Sequence, residues 1–342
     1  MMTVKLLGHL GSPYSRKIRS YLRYKQIRFE WIQTNTSEAM ELPASKIPLI
    51  PAVYFDNENF GVGHTDSTPL IKLINDRYTE RTTTPDDPVL AFLCELLEDF
   101  ADEWLNKMMF YYRFRYNGFC NSRFLLLATN PSMDERELEE FAKMFENRQI
   151  RVLSKLICVD DKCCQFLEKE YLRTIKILDA LLSQSSFLFG ARPSSADFAF
   201  FGQFSQLVIT DPTPNKLASE NGFRLRPWCE LMEDLSGMDL STKNWLERHI
   251  LKTSNPHQDL LQEVNNIYLP MLNANFMAFK NGKNEFSVIL KGVQWKQNIN
   301  KYHVKCLHNL CNSYKSLTSE DKDFVKFLGI NTVIFENISS HL

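Results

Sequence analysis

The chain has 342 residues, 44% of them apolar and 24% charged, and a formal net charge of −1. This length allows two or three domains with a sizeable core, and the near-neutral balance gives no electrostatic reason for a nucleic-acid partner. No apolar run approaches the ~18 residues of a membrane helix, and the start lacks the basic and apolar regions of a secretory signal.

Eight cysteines form no dense framework. Adjacent Cys163-Cys164 are poorly placed to pair, so the set reads as reduced thiols of a cytoplasmic protein.

Residues 4–7 read as a buried strand that runs into Gly8-His9-Leu10-Gly11-Ser12-Pro13-Tyr14-Ser15. Ser12-Pro13 is a helix-start signal, because proline in the first turn gives up an N–H that has no partner there. Tyr14, Ile18, Tyr21 and Leu22 keep helical spacing, so Tyr14 is expected to face inward. The Ser12 hydroxyl then lies beside the free N–H groups of a helix N-terminus, a place that stabilises developing negative charge. Serines at both ends of the x-Pro-Tyr-x frame exclude two-cysteine redox chemistry.

Ile27, Phe29 and Trp31 alternate with charged residues and predict a second strand. After a polar loop, Ile50-Pro51 leads into a third strand over Ala52–Phe55. The turn residues Asp56-Asn57-Glu58-Asn59 then suggest a hairpin with residues 60–62. Ser67 or Thr68 is expected to cap a helix with Pro69 in its first turn and Leu70, Ile71, Leu73 and Ile74 buried.

This βαβ–ββα order, with these residues in place, resembles the thioredoxin-like N-terminal domain of the cytosolic glutathione transferases over residues 1–79. The resemblance implies a cis bond at Ile50-Pro51. Ile47-Pro48 is the alternative register, but Pro51 leaves the following strand unbroken. It further implies that the Ile50 backbone pairs with the cysteinyl part of glutathione, and that Asp66 and Ser67 hold its γ-glutamyl end. A helix N-terminus with a hydroxyl suits a carboxylate, and a nearby acid suits the ammonium. The thiol-activating hydroxyl belongs to Ser12, Tyr14 or Ser15, since the family uses tyrosine or serine in slightly different positions.

Residues 80–88 are polar, carry two prolines and read as a linker. Beyond them Val89, Phe92, Leu93, Leu96, Leu97, Phe100, Trp104 and Leu105 keep helical spacing, with Glu95, Glu98, Asp99 and Asp102 read as a solvated face. Met108-Met109-Phe110-Tyr111-Tyr112-Arg113-Phe114-Arg115-Tyr116 reads as core or as the roof of an apolar pocket. Helical patterns follow over residues 135–153 and 167–182. Then Gly190-Ala191-Arg192-Pro193-Ser194-Ser195-Ala196-Asp197 places Ser194 and Asp197 as a capping box before an apolar run. In the glutathione transferases such a box opens the central helix of the all-α domain, which implies that domain over residues 88–240.

Residues 241–342 depart from the family as an extension expected to pack on the helical domain. Residues 269–279, Asn281-Gly282 and residues 284–290 read as a β-hairpin with a type I′ turn. Residues 302–314 read as an amphipathic helix. His303, Cys306 and Cys311 lie near one another on it without a full ligand set, and no metal is expected.

The fold class is therefore a thioredoxin-like α/β domain, an all-α domain and an extension with a hairpin and a helix. The resemblance implies a cytoplasmic, homodimeric detoxification transferase that uses glutathione as co-substrate against a small hydrophobic electrophile, without nucleic-acid or membrane partners. The alternatives are a non-catalytic binding module on the same fold, or a glutathione-dependent isomerase or lyase.

Overall fold

Alternating buried and half-buried side chains mark the first strand, β1 (Val4–Gly8), in the computed structural model, which describes residues 3–338. There follow α1 (Pro13–Tyr24), β2 (Phe29–Gln33), the single turn α2 (Ser37–Met40), β3 (Ala52–Phe55), β4 (His64–Thr65) and α3 (Ser67–Arg77). The four strands form one mixed sheet in the order β2-β1-β3-β4, with β1 parallel to β2 and antiparallel to β3. This is the thioredoxin-like arrangement that the residue pattern implied.

A mainly helical stretch comes next: α4 (Pro88–Phe100), α5 (Asn106–Tyr116), α6 (Gly118–Leu127), α7 (Glu135–Leu156) and α8 (Asp161–Leu182). It continues with α9 (Ser195–Ser205), α10 (Pro212–Asn221), α11 (Leu225–Glu233), α12 (Asn255–Glu263) and α13 (Leu269–Lys280). The last elements are β5 (Glu285–Leu290), β6 (Val293–Asn298), α14 (Lys301–Ser316), α15 (Ser319–Phe327) and α16 (Val333–Ile338). Among the described residues no helix is long and apolar enough to cross a membrane.

The chain divides into two compact units, each assembled from separate segments. The first takes the residues up to Thr83 with Tyr112–Gln149 and Asp197–Lys243. The second takes Thr84–Tyr111, Ile150–Ala196 and the chain from Asn244 onward. In the first unit α1 packs on α3, and Tyr21 and Tyr24 of α1 meet Phe198 of α9 with ring centroids 5.4 and 5.6 Å apart. In the second, α4 packs against α14 and α15, and α8 against α12 and β6. Trp104, Phe166 and Trp295, all buried, form its aromatic centre.

Several elements differ from the sequence reading. The partner of β3 is His64–Thr65 and not residues 60–62, because Asp56–Glu58 form a short 3-10 turn and Asn59 and Phe60 take positive φ. Asp66, rather than Ser67 or Thr68, is the N-cap of α3. Residues 269–280 are helical, and Asn281-Gly282 ends that helix: the Gly282 and Lys283 N–H groups donate to the Phe279 and Ala278 carbonyls, with Gly282 at φ +65°. An Asn-Gly pair serves a helix C-terminus as readily as a hairpin. The real hairpin turn is Lys291-Gly292, both at positive φ, joining β5 to β6.

The carboxylate stripe of α4 and of the helical turn Ala101–Leu105 that continues it is not solvated. Glu98 and Asp102 are only 5% and 4% exposed. Glu95 accepts a hydrogen bond from the Ser313 hydroxyl, Asp99 accepts one from Tyr268 Oη at 2.6 Å, and Glu103 meets His303 Nε2 at 2.9 Å. The segments that cover these acids lie more than 160 residues away in sequence, so helical periodicity could not reveal them.

Burial pushes the Asp99 carboxyl up to about 8, against the pull of the Tyr268 hydroxyl. The folded chain thus holds this proton more tightly than the unfolded chain, whose aspartates release theirs near ~3.9. The resulting stabilisation is complete at low pH and is lost as pH rises through about 8. Asp99→Asn should therefore narrow the fall in melting temperature between about pH 5 and about pH 8. An unchanged fall would show that Asp99 is ionised throughout that range.

The expectation of eight reduced thiols is also corrected. Cys158, just before α8, and Cys163, in its first turn, form a disulfide. They are close because Asp160 between them caps the helix, accepting from the Cys163 N–H at 2.8 Å and turning the chain back on itself.

Candidate active site

Strand register decides which loops meet. Leu7 of β1 lies opposite Ala52 of β3, and Ala52 lies opposite Thr65 of β4. The segment after β1, the residues before β3 and the start of α3 therefore leave the sheet at the same end. That end carries Ser12, Tyr14 and Ser15 on α1, Ile50-Pro51, and Asp66-Ser67. The Ile50-Pro51 bond is cis and the Ile47-Pro48 bond is not.

The three candidate hydroxyls differ in setting. Ser12 is the N-cap of α1 and is half-buried; its Oγ accepts from the Ser15 N–H at 3.2 Å. The cap occupies a lone pair and leaves the hydroxyl hydrogen to be donated elsewhere. Ser15 is wholly buried, and its Oγ accepts from the His9 N–H at 3.2 Å, closing the loop onto the helix. Tyr14 is half-buried and does not join Ile18, Tyr21 and Leu22 in the core as expected.

At the neighbouring loop Pro51 is buried and Ile50 half-buried. Ser67 is 5% exposed in the first turn of α3, where backbone N–H groups lack helical partners. Asp66 sits at φ 76°, the left-handed side that a non-glycine residue enters at a cost of order 1–3 kcal/mol. Such outliers gather at ligand clamps, where the surrounding structure holds them in place.

A polar shell that the sequence reading missed fixes the β1–α1 loop. The Gly11 N–H donates to His9 Nδ1 at 2.8 Å, so Nδ1 is unprotonated and the ring donates from Nε2 to the Leu125 carbonyl at 3.0 Å. Burial lowers the His9 pKa, which keeps this neutral tautomer. Arg113 Nη1 donates to the Gly11 carbonyl at 2.6 Å, Nη2 to Gln206 Oε1 at 2.6 Å, and Nε to both Asp211 oxygens at 3.0 Å. The Leu10 carbonyl accepts from Gln206 Nε2 and Arg16 Nε.

A Cβ at Gly11 would fall 1.9 Å from Leu125 Cδ2 of α6, so a larger residue here requires the Leu125 side chain to move. The available signal was the pair of arginines inside the aromatic run 108–116: a buried helix seldom carries a guanidinium without a partner.

The His303, Cys306 and Cys311 group forms no metal cluster among the described residues, and the neutral His303 ring faces Glu103.

Comparison with known proteins agrees with this geometry at the level of one domain. Residues 6–82 match the family described as "Glutathione S-transferase, N-terminal domain". No curated protein matches the chain. Among solved structures, a Tau class glutathione S-transferase from mango (Mangifera indica) is 15% identical, with 67% of this chain and 87% of that one covered and a TM-score of 0.42. A glutathione S-transferase from Rhodospirillum rubrum is 19% identical, with 72% and 97% covered and a TM-score of 0.42. The β-etherase LigF of Sphingobium sp. strain SYK-6 is 17% identical, with 66% and 93% covered and a TM-score of 0.46. Only the match over residues 6–82 bears on the chemistry.

Proposed function

We propose that this chain, whose residues 6–82 match the glutathione S-transferase N-terminal domain family, binds glutathione at the loop-bearing end of its sheet and presents the thiolate to a small apolar electrophile. The observation that carries the reading is Ser12: a half-buried hydroxyl at a helix N-cap, with one lone pair taken by the cap and its hydrogen left to donate, at the same end of the sheet as cis Ile50-Pro51 and Ser67.

The N-terminus of α3 and the Ser67 hydroxyl take the γ-glutamyl carboxylate, and Asp66 takes the ammonium. The Ile50 backbone pairs with the cysteinyl segment in strand fashion. Ser12 then donates to the thiol sulfur and favours its ionised form, lowering a pKa of ~8.5 toward neutrality with help from the N-terminus of α1. Attack of the thiolate on the electrophile forms the carbon–sulfur bond and expels the leaving group. Tyr14 and Ser15 remain rivals for the donor role; Ser15 is the weaker because its hydroxyl is wholly buried.

The binding half of this reading is tested by Ser67→Ala. Loss of a hydroxyl from a charge-assisted contact should weaken glutathione binding by ~1.5–3 kcal/mol, read by calorimetry. Unchanged affinity would remove Ser67 from the site and, with it, the placement of the γ-glutamyl end.

A further inference from the structure

The start of α8 gathers a different chemistry from the loops of the sheet. Cys158 Sγ, an Asp160 carboxylate oxygen and Cys163 Sγ all lie within 4.8 Å of one another. Cys158 and Cys163 are buried while Asp160 is exposed. Asp160 is divided between two tasks. Its Oδ1 accepts the Cys163 N–H at 2.8 Å as the helix cap, and its Oδ2 lies 3.1 Å from Cys158 Sγ and 3.5 Å from Cys163 Sγ. The cap thus aims the second oxygen at both sulfurs, as an outer hydrogen bond orients a carboxylate ligand. The Gln294 carbonyl of β6 lies 3.4 Å from Cys163 Sγ and closes the far side.

We propose that the reduced form of this Cys158–Asp160–Cys163 cluster is a zinc site, and that its disulfide is the metal-free state. Two thiolates and one carboxylate are a borderline-soft donor set, which favours Zn²⁺ over Ca²⁺ or Mg²⁺. Tetrahedral zinc with bonds of about 2.3 Å to sulfur separates two thiolates by roughly 3.7 Å, a spacing open to these side chains once the disulfide is broken. The exposed Asp160 side gives the ion its entry path, and the Gln294 carbonyl or a water completes four ligands.

The chemistry balances. Two molecules of a small thiol reduce the disulfide to two cysteine thiols and become one small-molecule disulfide. Zinc binding then releases the two thiol protons. The helix N-terminus beside Cys163 favours the thiolates that both steps need.

The test uses the full chain, reduced with a phosphine that does not bind metal and then freed of it. Titration with Co²⁺ should give a sulfur-to-cobalt charge-transfer band that saturates at one ion per chain and is displaced by Zn²⁺. Asp160→Asn, which can still cap α8, should weaken Co²⁺ binding by roughly tenfold or more. The double variant Cys158→Ser/Cys163→Ser should lose the band, and Cys164→Ser should keep it. The protein with its disulfide intact should not bind. Absence of the band from the reduced parent would overturn the assignment, as would its persistence in the double variant or equal binding by Asp160→Asn and the parent.

Discussion

Replacing Ser12 by alanine should cut the rate of thiol transfer near neutral pH by ~10²-fold or more, with glutathione affinity much less affected. The split follows from what the hydroxyl touches. On its acceptor side it caps α1 through the Ser15 N–H; on its donor side, in the function proposed above, it would stabilise a thiolate that bears charge only after ionisation. The variant also loses about 1 kcal/mol of cap stability, which Ser12→Asn should largely restore without restoring the rate. The decisive reading is the ultraviolet thiolate absorbance of bound glutathione against pH. Its midpoint should rise in Ser12→Ala. If it holds there and moves in Tyr14→Phe or Ser15→Ala, the donor is that neighbour. If it moves in none of them, the fold is a binding module without thiol activation.

The second large effect lies one layer behind. Arg113→Met should destabilise the protein by ~3–5 kcal/mol, because it leaves the Asp211 carboxylate buried without its partner. Arg113 and Asp211 are 4% and 1% exposed, so water cannot take over the contact. Burial already pushes the Asp211 carboxyl up, and Arg113 is what draws it back. Arg113→Met/Asp211→Leu should recover much of the loss, since replacing both members of a buried pair with apolar groups is often near neutral. Urea unfolding of the two variants checks this. A small loss in the single variant would mean that Asp211 is comfortable when protonated. The double variant should still turn over poorly, because the Gly11 carbonyl loses the donor that holds it.

The N-terminal domain was legible in outline because most of its signals are local. Ser12-Pro13 starts a helix and Val4–Gly8 alternates on a sheet face, while the cis bond at Ile50-Pro51 came only from the family resemblance. The second unit was legible mostly as helices and hardly at all as contacts. Glu95, Glu98, Asp99 and Asp102 read as a wet stripe because charged residues spaced along a helix usually are. The partners of Glu95 and Asp99, Ser313 and Tyr268, come from far along the chain, as does His303 against the neighbouring Glu103. Asn281-Gly282 misled for another reason: the same positive-φ preference ends a helix and turns a hairpin, and only the flanking residues decide between them. The shell around Gly11 joins residues 9, 11, 113, 206 and 211. No spacing rule connects positions so far apart.

Both units are stitched from three lengths of chain, and this bears on how the protein is made. As the ribosome delivers the N-terminal sheet, the residues up to Lys243 that complete its unit have yet to appear. The second unit begins at Thr84 and needs segments from beyond Asn244. Neither can close early, so synthesis holds an apolar helix such as α4 exposed until its late partners α14 and α15 arrive, a situation that slows folding and invites chaperones. For the same reason, ending the chain near residue 240 would not prune an appendage. It would take away one of the three lengths from which the second core is built.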